Sequence, residues 1–244
     1  MERTHRIFVL CLVVFGCAAL QLPDYMKPCS RSDPNFNACA LQQGREAMSR
    51  MVQGDDKYGV PVLDPLLIRK LTTTYNGFTA TTRNSTVVGV KGVVIEDISF
   101  DFDKQLVRVA FMFPTLQFNG LYEMSGKLAG LPISGKGDYD LFLSGLSGNY
   151  STNYTLARLR DGQLHAMPQS YAVDFDIRGL KVHFGNLFKG NRLLGNSIND
   201  FINENWRLVV EELGKPVLTS LGSIVHEVLL NLAEKIPYDE LFAA

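Results

Sequence analysis

The C-terminal run from Gly195 to Phe242 leaves this chain few choices of fold. Apolar residues recur there at helical spacing: Ile198, Phe201, Ile202, Leu208, Val209 and Leu213, then Val217, Leu218, Leu221, Ile224, Val225, Val228, Leu229, Leu232 and Ile236. The spacing predicts one helix from Ile198 to Ile236. Ser197 is placed to cap it, and Asp200 puts negative charge near the positive end of the helix dipole. At about 1.5 Å per residue such a helix is roughly 58 Å long, more than a small domain is wide, so something must cover it.

Its halves differ in charge. The first carries Glu204, Arg207, Glu211, Glu212 and Lys215, whereas from Val217 to Ala233 only Glu227 is charged, so the second half is expected to be enclosed on most sides. Pro216 has no amide donor and its ring crowds the preceding turn, which predicts a kink or short break near Gly214 to Pro216. The alternative is two ordinary amphipathic helices packed on a sheet.

The cover is upstream. From about Thr73 to Phe188 the period is two. Ile98, Phe100 and Phe102 share one face; Val107, Val109, Phe111 and Phe113 point inward, as do Tyr122, Met124 and Leu128. Pro132, Gly135 and Gly137 read as the turn to the next strand, in which Tyr139, Leu141 and Leu143 are inward. Inward Tyr150, Tyr154 and Leu156 put Asn149 and Asn153 outward; Tyr171, Val173, Phe175 and Ile177 follow. The phase flips at Gly179, after which Leu180, Val182 and Phe184 are inward with Lys181 and His183 outward. Before the strands, a helix is expected from about Ala38 to Val52. It stops at Gly54, and an extended, proline-bearing arm runs from Lys57 to Ile68.

The fold class is therefore α+β, an antiparallel sheet curled around a long C-terminal helix. Large side chains on both surfaces need not close to core density, and the gap would be an elongated apolar tunnel. On that reading the candidate ligand-binding residues are Val62 and Leu66 of the arm, and Phe111, Phe113, Tyr122, Met124, Leu128, Leu141 and Leu143 of the sheet. Tyr154, Val173, Phe175 and Ile177 complete the sheet's share, and Val209, Leu213, Val217, Leu221, Val225 and Val228 are the helix's. The same periodicity also describes a filled core.

The chain of 244 residues begins with Arg3 and Arg6 ahead of an apolar stretch, Ile7 to Ala19, which fits a secretory signal peptide over residues 1–19. A single domain over 20–244 is expected to remain, its formal charge changing from −1 to −2, with no basic excess to suit nucleic acid. Cys11 and Cys17 leave with the signal, so Cys29 and Cys39 have each other to pair with, a disulfide worth about 3 kcal/mol in the chain-entropy account. A metal site is the weaker reading of the pair, since no histidine lies nearby. Sequons at Asn84, Asn149 and Asn153 are candidate glycosylation sites.

The early Cys29 and Cys39 pair before an amphipathic helix, the GVPVLDPLLI arm, the NGLYEMSGKLAGLPISGKGDYDL stretch and the ending NDFINENWRLVVEEL with KIPYDELF together resemble the insect takeout and haemolymph juvenile hormone-binding protein family. The resemblance covers essentially the whole mature length. It implies a strongly curved antiparallel sheet around a long C-terminal helix, related to the tubular lipid-binding (TULIP-like) domains. It also implies a secreted, extracellular carrier of a small hydrophobic ligand: a juvenile hormone-like terpenoid, a fatty acid derivative or another lipid. Haemolymph hormone carriers of this family usually have a second disulfide, and its absence places the chain nearer the takeout-like branch.

Two rivals are a secreted lipid-ester hydrolase and a secreted recogniser of microbial lipid. The hydrolase would need a nucleophile, a base and an orienting acid, and Gly145-Leu146-Ser147-Gly148-Asn149 ends in asparagine where G-x-S-x-G needs glycine. His226-Glu227 begins like H-E-x-x-H, but Leu230 stands at the second ligand position. His165 and His183 read as surface residues, and His226 as a helix residue at a wet edge or a contact to a ligand head group. No catalytic residue, metal or cofactor is called for. The chain is expected to act as a monomer without stable membrane insertion, and a receptor or delivery partner is left open.

Overall fold

Two very long strands carry the architecture, which a computed structural model describes over residues 21–243. The predicted signal segment lies outside those residues. In order come β1 (Cys29–Ser30), α1 (Phe36–Met51), β2 (Leu66–Tyr75), β3 (Phe78–Val88), β4 (Val94–Asp101), β5 (Leu106–Leu128) and β6 (Leu131–Arg158). Then follow β7 (Leu164–Asp176), β8 (Gly179–Phe184), α2 (Arg192–Glu204), α3 (Trp206–Lys235), α4 (Tyr238–Leu241) and β9 (Phe242–Ala243). The main sheet has the order β2-β3-β5-β6-β7, with β4 added to β5 and β8 to β6.

At 23 and 28 residues, β5 and β6 each merge what the sequence pattern splits into two strands. The turn between them is Ala129-Gly130, both at positive φ, and Pro132, Gly135 and Gly137 lie inside β6 instead of in a turn. The pattern misleads because the inward phase flips within each strand. Inward residues shift from Phe113 to Leu116 across Pro114, and from Leu143 to Leu146 across Gly145, and these two flips face each other: Phe113 pairs with Leu146 and Thr115 with Ser144. Gly145 takes φ 60, which glycine adopts without strain, and Pro114 has no amide to offer the ladder. The pair is a bend that divides the sheet into two regions. On one side β2, β3, the later part of β5, the early part of β6 and β8 form a trough; on the other are β4, the start of β5, the end of β6, and β7.

The C-terminal run is α2 followed by α3, and it departs from expectation in three ways. It begins earlier, at Arg192, where the Asn191 side chain accepts from the Leu194 amide at 3.2 Å. The break is at Asn205, which leaves helical dihedrals (φ −109, ψ 30) while its backbone amide and its side-chain amide both donate to the Phe201 carbonyl at 2.9 Å. Pro216 sits inside a continuous α3 of 30 residues, because packing of its neighbours on the sheet overrides the loss of one amide donor. The sheet curls around α3, yet the helix keeps a face to solvent, with Leu208 46% and Val225 50% exposed. By length and composition α3 could cross a membrane.

Helix α2 lies on β8 and completes its free edge. Asn199 accepts from the Phe184 amide (2.9 Å) and donates to its carbonyl (3.0 Å); Asn203 does the same for Val182 at 2.8 and 2.9 Å. One helical turn of four residues rises about 6 Å and two strand residues span about 6.6 Å, so the helical and strand repeats match.

The far end is filled. Helix α1 packs on β4, and Cys29 and Cys39 are bonded with Cα atoms 6.0 Å apart. Phe36 meets Phe100, Phe102 and Phe242 at centroid distances of 5.3, 5.0 and 5.8 Å. Tyr238 joins Phe242 at 4.9 Å, and the Arg31 guanidinium lies over Phe102 and Tyr238. β1 pairs with β9, which ties the chain's two described ends together beside this cluster.

Candidate ligand-binding site

The trough side of the bend is hollow. A cavity of about 220 Å³ lies between its strands, the end of β7 and the helices, lined from Leu128 near the hairpin tip to Leu221 on α3. Large residues face it, and it stays open because glycines let their rings lie flat. A Cβ at Gly135 would come within 2.5 Å of the Tyr122 Oη, and that hydroxyl donates across the notch to the Gly185 carbonyl at 2.7 Å. Tyr139 reaches along the wall to donate to the Ser85 Oγ at 2.9 Å, where Gly120 leaves room beside the Ser85 backbone. Gly214 makes the same allowance on α3 for Phe175.

The lining is almost wholly apolar. Its polar groups are the hydroxyls of Thr73, Thr82, Ser85, Tyr122 and Tyr139, and among the described residues no charged side chain faces the space. Burial, helped by the nearby Asp138 carboxylate, pushes the Tyr122 phenol up to about 12, and burial likewise raises Tyr139, so both are neutral donors at physiological pH.

The family profile described as haemolymph juvenile hormone binding protein matches residues 8–243. This chain belongs to that family. The crystal structure of Takeout 1 from Epiphyas postvittana is similar to it over 90% of this chain and 100% of that one, with a TM-score of 0.79 and 27% identity. The circadian clock-controlled protein daywake of Drosophila melanogaster is 22% identical over 231 residues, 90% of this chain and 88% of that protein. Its counterpart in Drosophila yakuba is 22% identical over 238 residues, 93% and 90% of the two chains. The haemolymph juvenile hormone-binding protein family is one of carriers for small hydrophobic ligands, and the α+β architecture here, a curved antiparallel sheet with a long C-terminal helix, is the takeout fold.

Within that fold, the structure brings Tyr122, Met124, Leu128, Leu141, Leu143, Phe175 and Ile177 to the cavity, with Val209, Leu213, Val217 and Leu221 from α3. The rest of the residues singled out from periodicity lie elsewhere. Phe111 and Phe113 are beyond the bend, packed on the core with rings 5.6 Å apart. Tyr154 meets Tyr238 in the filled end, 6.3 Å between centroids, and Val173 packs against Gly222 of α3. Val62 and Val225 are each 50% exposed, while Leu66 and Val228 line a separate groove outside the sheet. The cavity therefore meets both flanks of Pro216, from Val209 to Leu221, and the later half of α3 serves other packing.

Periodicity missed the opposite wall: Ile68, Leu71 and Thr73 of β2, with Phe78, Ala80, Thr82 and Ser85 of β3. Threonines on both faces of these strands hide the alternation. The usable signal was Asn76-Gly77, both at positive φ, the hairpin turn that pairs Thr73 with Ala80 and Leu71 with Thr82.

Two of the histidines tie elements together. His165, expected at the surface, is fully buried, since its turn tucks under the last turn of α3. Its Nδ1 donates to the Ala233 carbonyl at 2.7 Å, and its Nε2 lies 2.8 Å from the Asp161 carboxylate. The Gln163 amide and then His165 hold Asp161 below its ordinary value. The Nδ1 of His226 is 2.8 Å from the Tyr150 hydroxyl, and the imidazole packs on Tyr171, so this residue joins helix to sheet. His183 is exposed on β8, opposite Asp140 of β6.

Proposed function

We propose that the protein is a secreted carrier that holds a neutral, elongated, apolar ligand in this cavity. A juvenile hormone-like terpenoid ester, an esterified fatty acid derivative or another uncharged lipid fits the description. The observation that carries the reading is an apolar lining without a charged side chain. Removing ligand surface from water supplies about 25 cal/mol per Å², whereas a carboxylate taken into such a lining without a partner costs several kcal/mol. Ligand hydroxyl, ester or ketone oxygens can meet the wall hydroxyls of Thr73 and Thr82.

The signal-like start, the Cys29–Cys39 disulfide and outward sequons at Asn84, Asn149 and Asn153, all three exposed, support secretion. One domain over 20–244, a monomeric state and an α3 that stays with its sheet belong to the same reading. Native mass spectrometry of the secreted protein before and after organic extraction tests it, together with competition between a long-chain methyl ester and the matching carboxylate. We expect a co-purified neutral ligand and an ester preference of at least about tenfold, which is about 1.4 kcal/mol. A protein that takes up neither sinks the carrier reading, and turnover of the ester moves it to the hydrolase.

A further inference from the structure

We propose that the ligand enters and leaves through the seam between β2 and α3, with the side chain of Ile68 as the movable wall. This rests on the carrier reading above and asks how its cavity is loaded.

The cavity's enclosure differs from place to place. Neighbouring strands are joined by backbone ladders, and the outer edge of β8 is held to α2 by the four hydrogen bonds of Asn199 and Asn203. The edge strand β7 is fastened to α3 by the Tyr171 hydroxyl donating to the Thr219 carbonyl at 2.8 Å, with Tyr150 and His226 one strand further in. Between β2 and α3, among the described residues, no hydrogen bond crosses. The nearest ties belong to other segments: Asn231 to the Gly59 carbonyl, Lys235 to the Lys57 carbonyl, and the Ala129 amide to the Glu212 carboxylate. Side-chain contact alone closes this seam, so it opens at the lowest cost.

Outside the seam lies a groove of about 450 Å³, open to solvent. Ile68 lines both spaces, with one face to the cavity and the other to the groove, and at 7% exposure it fills the gap between them. Its neighbours sort cleanly: Leu71 and Leu221 line the cavity alone, Leu66 and Ile224 the groove alone. The passage is one side chain thick. A rotamer change at Ile68 with a small displacement of α3 connects the two without breaking a ladder. The outer approach suits an apolar, uncharged molecule. Leu67 in its lining is 70% exposed, and the groove's carboxylates, Asp56 and Glu227, outnumber its one cation, Arg69, which disfavours an anion.

The test is stopped-flow exchange of N-phenylnaphthylamine, a neutral apolar fluorophore, with the full secreted protein. Cys29 and Cys39 are bonded, so a bulky maleimide goes to a single introduced cysteine. Labelled Glu227→Cys, in the groove and outside the cavity lining, is expected to slow uptake and release by the same factor, about tenfold, and Ile68→Ala to speed both. Labelled Lys127→Cys, exposed beside the Ala129–Glu212 tie where a rival route would open, is expected to change neither. Slowing at Lys127 but not at Glu227, or rates indifferent to the groove label and to Ile68→Ala, overturns the portal and leaves the carrier standing. No uptake by the unmodified protein removes the carrier and the portal with it.

Discussion

The two regions on either side of the Pro114–Gly145 bend share the strands β5 and β6 and use their aromatic residues in opposite ways. Beyond the bend, Phe36, Phe100, Phe102, Phe242 and Tyr238 interlock, mostly edge to face, with centroids 4.9 to 6.0 Å apart. In the trough, Tyr122 and Tyr139 lie along the wall, each with its hydroxyl tied to the sheet or its continuation. The hollow region is not poorer in large residues. What differs is where the rings go: in the trough Gly135 and Gly120 leave room at the wall itself, against Tyr122 and beside the Ser85 that holds Tyr139.

The comparison breaks most visibly at Phe36. Phe36→Ala should cost about 3–5 kcal/mol in denaturant unfolding, since the ring is 7% exposed and touches three others, while uptake of an apolar fluorophore by the folded fraction stays unchanged. Loss of uptake without loss of stability would mean that the filled region is part of the site. Gly135→Ala reverses the pattern. Its methyl would sit 2.5 Å from the Tyr122 Oη and 3.1 Å from the Leu187 Cα, costing about 1–3 kcal/mol and turning the ring into the cavity, so uptake should fall. Unaltered binding in that variant would show that the flat tyrosine does not keep the space open.

The smallest effect is a pH dependence. Burial raises Tyr122 from 10.0 to about 12, and raises Tyr154 of the filled region further, with Tyr238 contributing. A raised folded value means that the stabilisation is complete below pH 10 and is lost as pH climbs through the folded value. Tyr150, beyond the bend, is raised to about 12 as well, so between pH 10 and 12 both regions should lose stability, seen as a falling denaturant midpoint. A midpoint that stays level across that window would count against it.

Much of this was legible in the chain. The inward faces of Tyr122, Met124, Leu141 and Phe175 follow from period two, and the cavity side of α3 follows from the stripe through Val209, Leu213, Val217 and Leu221. The bend was not legible, because a phase flip inside a strand reads as two strands, and neither Pro114 nor Gly145 announces that it faces the other. Nor was the cavity's limit. Phe111 and Phe113 have the inward parity of a lining residue, yet they pack on the core while Phe175, level with Phe111 across Gly148, lines the cavity. His165 could not be read at all, since its carbonyl partner is 68 residues further along. The break in the C-terminal run is at Asn205, where an asparagine suits the non-helical φ −109, ψ 30 and its side chain caps the Phe201 carbonyl, while packing holds Pro216 inside α3.

The bend also bears on how such a chain can change over generations. Rings interlocked around Phe36 and a disulfide beside them stabilise one region without reference to what lines the other. A substitution in the trough can therefore alter the shape offered to cargo while the anchoring region carries the stability margin. Descendants of one ancestral scaffold can explore new cargoes by small steps, none of which must first repair the fold.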